Sequence, residues 1–379
     1  MFRMILQIDM TAVSLTACGS RNKSVTENKL HAMHITKNYG DTDFVTGLRA
    51  IAATMVVMVH TGALADFGTL GVRISGAGAA GVQAFFVISG FSIATVLAAR
   101  PVFWDFFVRR LVRIVPLYYA ALLLAFILTL ISLPMSGWRE TLGAPNPFLG
   151  LILDFMFLGW LSPQTANDFI GVEWSIPIEV FWYIILAGLL PLLRRRRDWG
   201  YAFIGLLLLA GVSRAFSEII FGRSLWAAWA PTTYGAWFVL GAMTCRLRPL
   251  MRTASKLLRT NILLLAALSF VMGLMTDIGL TSAFIGFSTF LVIVGHPGSL
   301  ACRDPLSSRP MRFLGTISYG IYLWHMFVIS LVGQLNITSQ LFFFICVYAL
   351  TICVSIMAYL IVERPAIRAY SSYASYQSK

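Results

Sequence analysis

Apolar blocks, most of them near the ~20 residues that a lipid bilayer requires of a helix, recur along this chain from Val45 to Val362. There are too many for one soluble core to bury, so the bilayer must be the solvent for most of the chain. The balance of residues agrees: 58% are hydrophobic and 12% charged, about half the charged share of an ordinary soluble domain. A soluble enzyme, a secreted disulfide scaffold and a collagen-like or disordered chain are excluded. The net charge of +13 would suit a nucleic-acid binder, but the basic residues sit in short clusters between apolar blocks. Membrane topology explains that pattern better, and no nucleic-acid partner is expected. The five cysteines, Cys18, Cys245, Cys302, Cys346 and Cys353, form no CxxC pair and no zinc spacing. No disulfide framework and no metal are expected from them.

Ten stretches fit spans: Phe44 to Leu64, Ala79 to Ala98, Ile114 to Leu133, Trp174 to Leu193, Trp199 to Val212, Trp226 to Cys245, Asn261 to Thr276, Ile278 to His296, Thr316 to Gly333 and Leu341 to Val362. The expectation is an all-α polytopic membrane protein with both termini cytoplasmic. An eleventh apolar block, Phe148 to Leu161, is short and carries Asp154. If it does not cross, one side collects Arg100, Arg109, Arg110 and Arg113, the run Arg194 to Arg197, the cluster from Arg246 to Arg259, and Arg303, Arg309 and Arg312. The other side keeps only Arg73, Arg139, Arg214 and Arg223, the bias expected between cytoplasmic and exoplasmic loops. The segment 148–161 is therefore predicted to be re-entrant or interfacial on the outer side. Residues 1–43 form a cytoplasmic extension, with Met33 as an alternative start. Leu15-Thr16-Ala17-Cys18 resembles a lipoprotein processing box, against the charge bias. Residues 44–368 make the membrane domain and 369–379 a cytoplasmic tail. No internal repeat and no soluble domain are evident.

Ionisable groups within apolar spans are costly, and they mark where function is found. The first span carries Arg49 near its inner end and His60 eleven residues later, on one helical face and about 16 Å apart along the axis. A snorkelling arginine and a packed histidine are the structural alternative; an imidazole able to take a proton from a hydroxyl is the chemical one. Ser89 and Gly90 form a small pair among aromatics, suited to close helix packing or to an orienting hydrogen bond. Arginines and aromatics interleave from Phe103 to Tyr119. They read either as an anchor on anionic lipid headgroups or, through Arg110 and Arg113 one turn apart, as a clamp on the phosphates of a nucleotide-like donor. Trp174 stands beside Ser175, Glu179 and Tyr183, four apart on one face. That grouping suits a carbohydrate acceptor, or else an aromatic belt with a paired glutamate. Tyr319 and His325 occupy the ninth span, and a second buried histidine could orient the first. Glu363, just before Pro365, lies at about the depth of Arg49 and reads as its ion-pair partner or as a solvated helix end. His296 is assigned no role.

In this order, the elements Gly47-Leu48-Arg49-Ala50 with His60, Phe85-Phe86 with Ser89-Gly90-Phe91, Arg110-x-x-Arg113 with Pro116-Leu117-Tyr118, Trp174-Ser175 with Glu179, Ser318-Tyr319 with Tyr322-Leu323-Trp324-His325, and Glu363-x-Pro365 resemble the bacterial integral-membrane acyltransferase 3 family. The resemblance covers about Phe44 to Arg368. It implies ten spans in the inner membrane, with acyl-coenzyme A, usually acetyl, as co-substrate from the cytoplasm and no permanently bound cofactor. It also implies a glycan or lipid-linked oligosaccharide acceptor, such as exopolysaccharide or lipopolysaccharide, at the outer face. On that resemblance His60 is catalytic with Arg49 as its partner or as a contact to the donor, Arg110, Arg113 and Ser89 hold the donor, and Trp174 and Glu179 meet the acceptor. Tyr319, His325 and Glu363 support them. Some members carry a carboxy-terminal esterase-like domain that has no counterpart here, so the membrane domain is expected to complete the transfer itself. The competing reading is a transporter or flippase using Arg49, His60, Glu179 and His325 as a proton or substrate path.

Overall fold

The computed structural model describes residues 42–133, 143, 146–193, 195–222, 225–276, 278–297 and 304–377. Among them there are helices and turns and no strand, as expected where every backbone amide must be satisfied within its own segment. In chain order the helices are α1 (Asp43–Thr61), α2 (Gly68–Ala77), α3 (Gly81–Ala99), α4 (Phe103–Leu130), α5 (Pro147–Phe155), α6 (Ser175–Leu189), α7 (Arg196–Phe221), α8 (Leu225–Trp229), α9 (Pro231–Arg252), α10 (Lys256–Met275), α11 (Ile278–Gly295), α12 (Arg309–Thr316), α13 (Ser318–Gly333), α14 (Gln340–Ala358) and α15 (Arg364–Gln377).

Each of the ten expected stretches is helical. Among the described residues six helical segments are long and apolar enough to cross a bilayer, or seven if α12 and α13, bent by 66° at their junction, count as one. That arrangement fits a polytopic membrane protein. Helix α6, with 15 residues, is only about 22 Å long, and α9 carries Arg246, Arg248 and Arg252. Two boundaries differ from the sequence reading. Helix α7 runs for 26 residues, well past Val212, and an Arg214–Glu218 pair at 3.3 Å supports its exposed end. Helix α4 begins at Phe103 and not at Ile114, so its arginines stand on the first turns of a long helix.

Helix α3 is the hub. It is buried on all sides and packs against α1, α6, α9 and α11. Its crossing with α9 depends on two glycines, since a methyl group at Gly90 would overlap the Phe238 carbonyl and one at Gly241 the Val87 carbonyl. Small residues let the two backbones touch, which is the packing role foreseen for Gly90. Helices α7 and α10, by contrast, present Leu208, Ile219 and Leu264 outward, as lipid-facing helices do.

The segment 148–161 folds back on itself. Helix α5 has nine residues, about 14 Å, too short to cross ~30 Å of hydrocarbon. It ends in a Schellman closure, Phe157 N–H to Asp154 O at 3.0 Å and Leu158 N–H to Leu153 O at 2.7 Å. Phe157 fills the left-handed position, at φ 58°, where glycine is usual. The cost, roughly 1–2 kcal/mol for a residue with a Cβ, is offset by stacking of its ring on Tyr118 at 5.5 Å. Tyr119 also donates to Phe155 O at 2.7 Å. The adjacent tyrosines of α4 thus clamp the reversal. The chain then runs buried from Thr165 to Glu173. A buried loop must pair its backbone amides, and Glu173 meets that need by accepting from Phe169, Ile170, Gly171 and Val172 at 2.6–3.1 Å. Burial first, then the charges of Glu173 and Asp168, push the Asp154 carboxyl well above the usual carboxylate range.

Candidate functional site

Helix α1 places Arg49 and His60 in two polar clusters, one toward each of its ends. At the first end Arg49 meets Arg110 and Arg113 from the first turns of α4. The three guanidinium groups line two cavities at once. One, of about 200 Å³, extends past Thr42, Val45 and Thr46. The other, narrower at about 80 Å³, leads inward past Ser89, Glu179, Tyr183, Ser175, Tyr319 and Tyr322. The arginines therefore form a partition between an outer vestibule and an inner chamber. Three cations kept together in a largely apolar surrounding are costly unless anions visit. Partners restrain each of them. Arg49 donates to Ser92 Oγ at 2.9 Å, Arg110 lies over the rings of Phe106 and Tyr183 at 5.6 and 5.8 Å, and Arg113 faces Glu363 at 3.6 Å. The expected pairing of Glu363 with Arg49 is thus replaced by one with Arg113, because the π-helical turn Tyr359–Glu363 packs on α4.

Glu179 stands inside the same chamber. It accepts from Ser89 Oγ at 2.5 Å and from Tyr183 OH at 2.7 Å. Ser175, Glu179 and Tyr183 share the cavity-lining face of α6, as their spacing implied. The sequence reading divided Ser89 and the arginines from Glu179 as donor and acceptor residues, and the fold brings them into one cavity. Trp174 does not line it. Its ring lies at 5.4 Å from Tyr234 and 6.4 Å from Phe86, within an aromatic cluster that also includes Phe238 and Trp182. Tyr319 lines the chamber and donates to Ile114 O at 3.1 Å.

At the other end His60 and His325 meet. His325 Nε2 and His60 Nδ1 are 3.2 Å apart, with the rings tilted by 50°. His60 Nδ1 also lies 2.8 Å from Val56 O, and His325 Nδ1 lies 2.6 Å from Tyr322 O. A carbonyl oxygen can only accept, so this network assigns the proton of each ring to Nδ1. The His60 Nδ1 proton is then shared between Val56 O and His325 Nε2, and His60 Nε2 keeps a lone pair. His325 is fully buried while His60 is exposed. Tyr322 connects the two ends: its hydroxyl lines the chamber side and bonds Ser175 Oγ and Val172 O, each at 2.7 Å, and its carbonyl holds His325.

Three features were not legible as site elements. Tyr322 appeared only as a motif letter. Arg248, counted among the loop cations, is buried and donates to Ile293 O and His296 O at 2.7 and 2.9 Å, where a cation favours the end of α11. His296 stacks on Phe44 at 4.1 Å and pairs with Asp304 at 3.3 Å.

Comparison with known proteins gives the family. Residues 42–360 match the acyltransferase-3 family model, described as an acyltransferase domain. The chain is 25% identical over 375 residues to YrhL of Bacillus subtilis, a candidate peptidoglycan O-acetyltransferase, covering 88% of this chain and 56% of that protein. It is 24% identical over 356 residues to the O-acetyltransferase OatA of Staphylococcus aureus, covering 84% of this chain and 56% of that protein. The chain thus spans about half the length of these curated relatives. No solved structure matches it. With the family model matched along most of its length, the chain belongs to the acyltransferase-3 family of membrane acyltransferases.

Proposed function

We propose that this chain is an O-acyltransferase of the bacterial plasma membrane, crossing it ten times with both termini cytoplasmic. It moves an acyl group, acetyl above all, from cytoplasmic acyl-coenzyme A to a hydroxyl of a surface or exported glycan. The observation that carries this reading is the arginine partition. Arg49, Arg110 and Arg113 face a vestibule on one side and a narrow chamber on the other. A long donor with phosphates at one end and a thioester at the other fits such a site. Guanidinium groups hold phosphates through paired hydrogen bonds, while the slender arm enters the chamber.

In the transfer step the acceptor oxygen attacks the thioester carbon as His60 Nε2 takes the hydroxyl proton. The carbon–sulfur bond breaks, and His60 returns the proton to the departing thiolate. A two-step route would pass through an acyl-imidazole on the same nitrogen. His325, itself held by the Tyr322 carbonyl, fixes the ring and tautomer of His60. The name of the Bacillus relative supports a peptidoglycan-like glycan among the acceptors. Family membership favours transfer over the transporter reading.

The test is transfer of radiolabelled acetyl from acetyl-coenzyme A to cell-surface glycan in membranes, comparing wild type with a normally inserted His60→Ala variant. Label with wild type and none with the variant is expected. Equal label from both would remove His60 from the chemistry, and none from either would overturn the donor assignment.

A further inference from the structure

Three buried carboxylates take no part in the transfer just described. Asp154 comes from α5, while Asp168 and Glu173 come from the buried loop that follows it. Each offers an oxygen such that all three atoms lie within 4.8 Å of one another, and the residues are 0%, 2% and 0% exposed. Glu173 is held in place by its four backbone amides. Asp154 is different: neither of its carboxylate oxygens has a hydrogen-bond partner among the described residues. A buried polar group in that condition is expensive, and an ionised one far more so. The backbone is shaped around the cluster. A Cβ at Gly159 would collide with Asp154 Oδ1, and one at Gly150 would come within 2.6 Å of Asp168 Oδ2.

We propose that Asp154 and Asp168, beside the amide-bound Glu173, bind a hard divalent cation, with calcium the best fit. The donors are all oxygen, which selects calcium or magnesium over zinc or copper. Oxygens that share one calcium ion at 2.3–2.6 Å are at most ~5 Å apart, in keeping with the observed cluster. The cation balances charges that could not all be ionised together without it. Its place is structural. It ties the loop Thr165–Glu173 to the reversed helix α5, and through Val172 O, which accepts from Tyr322 OH, it steadies the wall between the chamber and the histidine pair. No spacing in the sequence announces the site, because the chain reversal after Asp154 brings the three residues together.

The experiment uses the purified full-length protein in detergent, stripped with a chelator. Terbium, a luminescent stand-in for calcium, is added under excitation of tyrosine and tryptophan, then displaced with calcium. Thermal unfolding is followed with chelator and with millimolar calcium. Saturable luminescence that calcium displaces is expected, with a midpoint several degrees higher in calcium, and both effects should be lost in Asp154→Asn. If that variant does not fold, Asp168→Asn serves, and the wild-type response alone remains decisive. A wild-type protein that shows no saturable terbium signal and an unfolding midpoint indifferent to chelator and calcium would overturn the proposal, as would an Asp154→Asn variant that binds like wild type. These readouts are independent of acetyl transfer, so they stand or fall apart from the proposed activity.

Discussion

Arg49 and His60 stand on one helix eleven residues apart, yet their surroundings differ in kind. Around Arg49 the fold gathers full charges: three guanidinium groups, with Glu179 and Glu363 in reach of the cluster. Around His60 it places one neutral partner, His325, and one backbone carbonyl, Val56 O. The first arrangement can hold a charged ligand but has no free base. The second has a free base and nothing to hold a phosphate. On the proposed function, binding and chemistry are separated along the axis of a single helix, and variants at the two ends should fail in different ways.

The largest effect is expected at the histidine end. His60→Ala should lower the rate of acetyl transfer by ~10²–10⁴-fold, the usual contribution of a general base, with the donor KM nearly unchanged. A large rise in KM with an intact rate would erase the contrast between the ends. At the arginine end, Arg113→Ala should raise the KM for acetyl-coenzyme A by roughly 10- to 100-fold, the worth of a hydrogen bond to a charged group, while kcat falls much less. Steady-state kinetics in membranes reads both. Next, His325→Gln should reduce kcat about tenfold without moving the donor KM, because it disturbs the orientation of His60 and leaves its lone pair in place. A change in donor KM there would show that the ends are coupled. Glu363→Gln removes the carboxylate 3.6 Å from Arg113 and should raise the donor KM by ~2- to 5-fold, within the range of a partly exposed ion pair. Trp174→Phe keeps the aromatic packing and should leave both constants within ~2-fold. A strong loss of acceptor use in that variant would restore Trp174 to the acceptor site.

Much of the scaffold was legible because bilayer physics acts on residue type directly. Every stretch read as a span is helical, and the short block around Asp154 does turn back. Both readings used only apolar length and charge, which are local properties. The site was legible in parts. Arg49, Ser89, Arg110, Arg113, Glu179 and Tyr319 all line one chamber, and each stood out as a polar group among apolar neighbours. Their pairing was not legible. Glu363 meets Arg113 and not Arg49, and Ser89 serves Glu179, because partners between helices depend on rotation and tilt, which composition does not encode.

By itself the sequence determined that this chain is an all-α membrane protein, that its long apolar stretches would be helical, and which few polar residues would have to find company inside them. A bilayer admits few backbone solutions, so those conclusions need only the order of residues. Tertiary structure alone decided that three arginines partition two cavities, that His60 leans on a buried His325, and that Asp154 turns to face Asp168 and Glu173. These depend on contacts between residues far apart in the chain, set by glycine-mediated helix approach and by one left-handed phenylalanine, and no local pattern carries them.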